Sequence, residues 1–290
     1  MESSSILMKL NNLIEGQVIK RPSKYIKTPY VADILYENEE VLGHTASLGC
    51  CGLADVNAMV LISLTPESKT KSKPKNKANM KCTHTVYLSV LRNGDNEQII
   101  GIHPKLAETL TEAALSSNLL SRLQNIKSYR RETVIYIKDK IDSRFDFTGV
   151  DQNGIPFIME VKNVPLADYE DVTAKERTKM DFSDRDSNSK VAYFPDGYRK
   201  KTSDPVSPRA LKHIRELTLI KNETPIRCIM CYVIQRTDVN RFQPSVIDPE
   251  YRAAFKEAIE RGVEIITMVV SWNRNGEATF IRDDLPITSF

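Results

Sequence analysis

Residues Ser143–Val164 read SRFDFTGVDQNGIPFIMEVKNV, and the way this stretch pairs with itself decides the fold. Two strand-like runs flank the turn-forming centre VDQNGIP, so a β-hairpin is predicted. Successive side chains of a strand point to opposite faces. On the first arm Phe145 and Phe147 are expected to share one face, and Arg144, Asp146 and Thr148 the other. On the second arm Phe157, Met159 and Val161 share a face, and Ile158, Glu160 and Lys162 the other. Burying the apolar faces together brings the charged faces together as well.

Register sets the consequence. If Asp146 stands opposite Glu160, Arg144 falls opposite Lys162. A two-residue Asn153-Gly154 turn would place Asp146 on the wrong face, so the pairing requires a three- or five-residue loop, or a bulge. Opposed residues hold their Cβ atoms ~5 Å apart. Two carboxylates that close repel, and one would normally keep a proton. A divalent cation removes the conflict; Mg²⁺ is anchored by one or two carboxylates and keeps several waters. Lys162, on the same face, could orient a water or offset charge on a phosphate. The ordinary alternative is an exposed Glu160–Lys162 pair with Asp146 on Arg144.

Outward from the hairpin, the chain divides in two. From about residue 14 to 101, the runs GQVIKR, YVADILY, EEVLGHTA, NAMVLISL, THTVYLSVL and EQIIGI are separated by turn residues, as in a small β-barrel or sandwich. A helix is predicted over HPKLAETLTEAALSSNLLSRL, then the strand RRETVIYIK before the hairpin. After it come the helix SPRALKHIRELTLI, the strand IRCIMCYVIQR, the helix DPEYRAAFKEAIERG with Asp248 as N-cap, and the strand VEIITMVVSW. That order is α/β with a mixed sheet. Asp168–Lys190 and Lys200–Pro208 read as mobile surface insertions.

Composition narrows the class. Of 290 residues, 41% are hydrophobic and 27% charged, which fits a packed protein, and no apolar run reaches the ~20 residues of a membrane helix. The first residues lack the features of a secretory signal, and the five cysteines are an odd number. An intracellular, cytoplasmic location is expected, with no membrane partner. Cys228 and Cys231 lie three apart in a strand and so face opposite sides, which predicts buried thiols rather than a metal or redox pair. The net charge is only +3, but Lys69–Lys81 carries six lysines and no acid, and Tyr198–Lys201 adds a second basic cluster. Such runs are either solvated loops or phosphate contacts.

The stretches SRFDF, MEVKNV, AYFPDG, LKHIREL, VIQRTDVNRFQP and IDPEYRAAFKEAIERGVEI, with VIKR, VADI and GHTASLG nearer the start, carry a resemblance over residues 14 to 285. The chain resembles the sugar fermentation stimulation protein family (SfsA), whose second domain is similar to PD-(D/E)XK nucleases. The resemblance implies an all-β OB-like barrel that binds nucleic acid over residues 1–102. It implies a PD-(D/E)XK nuclease-like α/β domain with a mixed sheet over 103–290. Asp146, Glu160 and Lys162 then match the catalytic set. Asp146 and Glu160, assisted by the helical Glu112, would hold Mg²⁺ or Mn²⁺, and Glu132 is a further acidic candidate. Nucleic-acid contacts are expected from Lys20, Arg21 and Tyr25 on the barrel and from Arg144, Asn163, Lys212 and His213. Ser47 and Leu48 replace the Asn and Thr usual in the family's barrel motif.

The expected function is metal-dependent hydrolysis of phosphodiesters in DNA, single- or double-stranded, or in RNA. The rival reading is a DNA-binding protein without catalysis that regulates sugar-metabolism genes. Self-association as a homo-oligomer is left open by the sequence.

Overall fold

The computed structural model describes residues 5–47, 52–65, 81–93, 96–195 and 205–288. Lys69–Met80, Tyr198–Lys201, Cys50 and Cys51 lie outside them. In chain order the strands of the first half are β1 (Ile6–Lys9), β2 (Ile14–Lys20), β3 (Val31–Tyr36), β4 (Glu39–His44), β5 (Met59–Leu64), β6 (His84–Asn93) and β7 (Asn96–Gly101). Six of them pair in the order β4-β3-β2-β5-β6-β7, and a parallel pairing of Gly43 with His84 joins β4 to β6. That contact closes a ring of five strands. Their alternation turns Val18, Ala32, Ile34, Val60, Ile62 and Val86 inward as one buried cluster.

The second half runs α1 (Pro104–Ser116), β8 (Ser128–Ile137), β9 (Ile141–Val150), β10 (Pro156–Val164), β11 (Ala167–Asp168), α2 (Ala174–Arg177), β12 (Lys190–Phe194), α3 (Pro208–Glu223), β13 (Arg227–Ile234), β14 (Val239–Pro244), α4 (Pro249–Glu260), β15 (Glu264–Trp272) and β16 (Glu277–Arg282). A seven-stranded mixed sheet has the order β1-β16-β15-β13-β10-β9-β8, and β11, β12 and β14 form a small second sheet. The first strand therefore leaves the range expected for the barrel. It pairs antiparallel with β16, where Lys9 also meets Glu277 at 2.9 Å.

The central strand β13 pairs in parallel with β10 and β15 and is covered on both faces, which explains its unbroken apolar run. Cys228, Met230 and Tyr232 pack with α3 and α4; Ile229, Cys231 and Val233 pack on the α1 side. The two thiols thus face apart, and burial pushes each up to about 12. Helix α4 starts where expected: Asp248 accepts the Tyr251 amide at 3.0 Å and Pro249 occupies the first turn. Helix α1 ends earlier than its leucine pattern suggested, at Ser116, because Asn118 turns into the left-handed region at φ 55°.

The hairpin has the even register. Pro156, Phe157, Ile158 and Met159 pair with Val150, Gly149, Thr148 and Phe147. The loop between them is the five residues Asp151–Ile155, with Gly154 at φ 83°. Asp151 Oδ1 accepts the amides of Asn153 and Ile155 at 2.8 and 2.9 Å, and Oδ2 accepts Arg227 Nη1 at 3.0 Å. One expectation fails. Phe145 and Phe147 do not share a core: Phe145 packs with α3 and α4, Phe147 with α1. The strand is irregular between them, at Asp146. The β10 ladder stops at Phe147, and the β8 ladder skips Glu132, whose φ is 49°.

The Asp168–Lys190 segment is no free loop. Asp171 is buried and accepts Ser245 Oγ, Gln243 Nε2 and the Val246 amide at 2.8–2.9 Å, while Tyr169 stacks on Phe182.

Gly149 lets β8, β9 and β10 approach. A Cβ there would stand 2.3 Å from the Ser128 carbonyl oxygen and 2.6 Å from the Phe157 ring. Gly149→Ala is therefore expected to lower stability by about 2 kcal/mol, measured by urea denaturation. An unchanged midpoint would contradict this packing.

Candidate functional site

At the point where its ladder opens, β9 turns Asp146 toward β10. Val161 donates its amide to Asp146 Oδ2 at 2.7 Å, replacing the missing strand-to-strand bond. No described residue meets Oδ1. Glu160, the facing residue on β10, is deeply buried, its side chain 3% exposed. Its Oε1 accepts both Lys162 Nζ and His213 Nδ1. A carboxylate only accepts hydrogen bonds, so His213 carries its proton on Nδ1. Glu160 Oε2 is buried and has no partner among the described residues.

Burial pushes the Glu160 carboxyl up, but the Lys162 ammonium and the His213 bond outweigh it and hold the group below its ordinary range. Asp146 goes the other way. Burial, then the Glu160 charge, pushes it up to about 7, against the smaller opposing pulls of Lys162 and the Val161 amide. Glu108 on α1 adds to the rise. The two carboxylates thus divide into one kept ionised and one poised near neutrality.

A cleft of ≈ 290 Å³ opens over them. Its walls are the start of α1 (Pro104, Ala107, Glu108), β9 and β10 (Asp146, Glu160 to Asn163), the start of α3 (Ser207, Arg209, Ala210), and Ser47 after β4. The ring sheet and the mixed sheet therefore both reach it.

The predicted residues separate on this map. Asp146, Glu160, Lys162 and Asn163 all line the cleft, with Asn163 Oδ1 accepting Gln235 Nε2 at 2.5 Å. Glu112 does not. It lies one turn past Glu108 and is held by Arg131 at 2.7 Å and Tyr129 Oη at 3.2 Å; Glu108 takes its place at the cleft. Glu132 and Arg144 pair with each other on the surface at 3.3 Å.

His213 is not available to nucleic acid. It is buried against Phe145 and Glu160 and orients the carboxylate instead. Arg21 is also internal, its side chain 6% exposed. It donates to the carbonyls of Pro29, Ser47 and Ala54, which fastens the loop that brings Ser47 to the cleft. Lys212 donates to the Asp142 carbonyl at 2.5 Å, off the cleft. Lys20 is exposed, and Tyr25 is half-buried under Lys24.

Sequence reasoning missed Glu108, Ser207 and Arg209. Glu108 borders the buried stripe of α1 as Glu112 does, and nothing local says which end of the helix meets the cleft.

The fold and the site together define a two-part α/β protein with an acidic, lysine-bearing cleft where its two large sheets meet. Residues 105–276 match the model of the sugar fermentation stimulation protein RE domain, and the chain belongs to this SfsA family. A sugar fermentation stimulation protein homolog of Crocosphaera subtropica is 31% identical over 260 residues, 88% of this chain and 87% of that one. Another from Pseudomonas savastanoi pv. phaseolicola is 34% identical over 161 residues, 55% of each chain. In fold, the chain is similar to Pyrococcus furiosus SfsA, solved in complex with Ca²⁺. Their TM-score is 0.71 at 18% identity, covering 99% of this chain and 100% of that one. No helix among the described residues is long and apolar enough to cross a membrane.

The Asp146 shift has a measurable sign. Its carboxyl binds a proton more tightly in the folded chain than at its ordinary 3.8, so metal-free stability from this group falls as pH rises from about 4 through 7. Asp146→Asn lacks that proton and its amide oxygen still accepts from Val161. In EDTA the variant is expected to match wild type near pH 4. It should exceed wild type by up to about 4 kcal/mol above pH 7, the equivalent of the rise from 3.8 to about 7. Urea denaturation across pH checks this; equal stability at pH 8 would contradict it.

Proposed function

We propose that the chain is a metal-dependent phosphodiesterase acting on nucleic acid, with DNA as the first candidate substrate and RNA as the second. One observation carries the reading: Glu160 Oε2, buried and unpartnered beside a second carboxylate on Asp146. A buried, unpaired carboxylate oxygen is costly unless a cation meets it. The donor set fits Mg²⁺ or Mn²⁺ held by Asp146 and Glu160. Among the described residues no three His, Cys, Asp or Glu side chains are arranged to hold a metal ion by themselves, so waters and phosphate oxygens would have to complete the ligand set. The Ca²⁺ complex of the Pyrococcus furiosus relative accords with a divalent ion in this fold.

When bound, the ion would supply Lewis acidity toward the phosphate and a more acidic water. The chain's own groups do the rest. His213 and Lys162 share Glu160 Oε1 and leave Oε2 without a protein partner among the described residues. Lys162, next to the reacting phosphate, offsets the charge that builds in the transition state. Asp146 would give up its proton as the ion binds, so ion binding is expected to strengthen as pH rises through about 7. In this reading the mixed sheet with α1, α3 and α4 is a PD-(D/E)XK nuclease-like domain. The five-strand ring is an OB-like barrel that guides the strand, with Lys20 and Tyr25 as its exposed basic and aromatic contacts.

The test is an incubation of single- and double-stranded oligonucleotides with the full chain in Mg²⁺, Mn²⁺ or EDTA. Metal-dependent cleavage is expected, reduced at least about a hundredfold in both Asp146→Ala and Lys162→Ala. Binding without cleavage in any metal would favour the non-catalytic, regulatory reading instead.

A further inference from the structure

We infer that the start of α3, with Arg209, is a phosphate subsite that holds the backbone of a nucleic-acid strand beside the carboxylates. The inference deepens the function proposed above and rests on it. Ser207, Arg209 and Ala210 form one wall of the cleft; Asp146, Glu160 and Glu108 line the same space. Arg209 is exposed and makes no ion pair or hydrogen bond among the described residues. Arg209 thus shares the ≈ 290 Å³ cleft with three carboxylates and bonds to none of them.

The backbone agrees with the side chain. Helix α3 is 16 residues long, and its N-cap Ser207 makes no side-chain cap bond. Pro208 has no amide hydrogen, and the Leu211 amide is satisfied by the Ser207 carbonyl at 3.0 Å. The amides of Arg209 and Ala210 have no acceptor among the described residues, so two donors and the positive end of the helix face the cleft. Across it lie Asp146 and Glu160, and Glu160 Oε2 is buried without a partner among the described residues, which asks for a cation. A group that must be anionic toward α3 and bridge to a cation at β9 and β10 is a phosphate. The fork of Arg209 suits two of its oxygens.

Ser47 on the ring side and Asn163 and Pro165 on the mixed-sheet side also line the cleft.

The experiment is fluorescence-anisotropy titration of a labelled 12-mer oligothymidylate with Ca²⁺ in place of Mg²⁺, at several salt concentrations. Inorganic phosphate serves as a separate probe by competition. Arg209→Ala is expected to weaken the oligomer about tenfold and to lower the salt slope by ~0.7, the loss of one single-strand phosphate contact. Arg209→Lys should recover part of the affinity. Mn²⁺ affinity, followed by EPR, should be unchanged in both variants, which separates this subsite from the metal ligands. Wild-type affinity and slope in Arg209→Ala would overturn the subsite, even where the wild type cleaves. Loss of inorganic phosphate binding alone, with the oligomer unaffected, would overturn the assignment to a strand. A wild type that binds but never cleaves, with Arg209→Ala weakened, would sink the nuclease reading and leave the subsite standing.

Discussion

The structure turns on one forced proximity: an ionised carboxylate and its neighbour on adjacent strands, Glu160 held by Lys162 and His213 and Asp146 by the Val161 amide. The even register of β9 and β10 sets Asp146 against Glu160, and the ladder ends one rung earlier, at Met159 and Phe147. Had the ladder continued, the Val161 amide would serve a backbone carbonyl; as it ends, that amide serves Asp146. The gap in pairing gives the two side chains room and gives the cleft its floor. Lys162 and His213 settle one oxygen of Glu160 and leave the other without a partner.

Around this point the rest of the fold acts as a frame. Arg227 ties the hairpin loop to β15 through Asp151 and Glu264, at 3.0 and 2.7 Å, so the register cannot slip without breaking a half-buried network. Glu216 on α3 receives Ser143 Oγ and the Asp142 amide, which fixes the helix that carries His213 against the start of β9. Phe145 and Phe147 insert into opposite cores on either side of Asp146. The strand is thus clamped both before and after the residue it distorts.

Much of this was legible in the sequence. Alternation and turn residues located the six strands of the first sheet, the starts of the three long helices and the hairpin to within a few residues, since each is specified by its own side chains. The even register was the condition on which setting Asp146 against Glu160 rested, and the five-residue loop meets it. What escaped depended on distant partners. The ILMK run of β1 is too short to be assigned until β16 is known to lie beside it. Arg21 reads as a surface base, yet its three carbonyl acceptors come from separate loops that only the folded ring assembles. Glu112 and Glu108 are one turn apart on α1, and only the docking of the ring decides which of them meets the cleft. The opposed placement of Phe145 and Phe147 breaks strict alternation, and it does so at the functional residue, where local rules are expected to yield.

The central claim is that Asp146 and Glu160 together make a binding site for one divalent cation. Manganese titration of the full chain, followed by the EPR signal of free Mn²⁺, tests it directly. One ion per chain is expected at pH 8, with affinity falling at least about tenfold in Glu160→Gln, which keeps the shape and removes the charge. Wild-type affinity in that variant, or no bound ion in the native chain, would contradict the account.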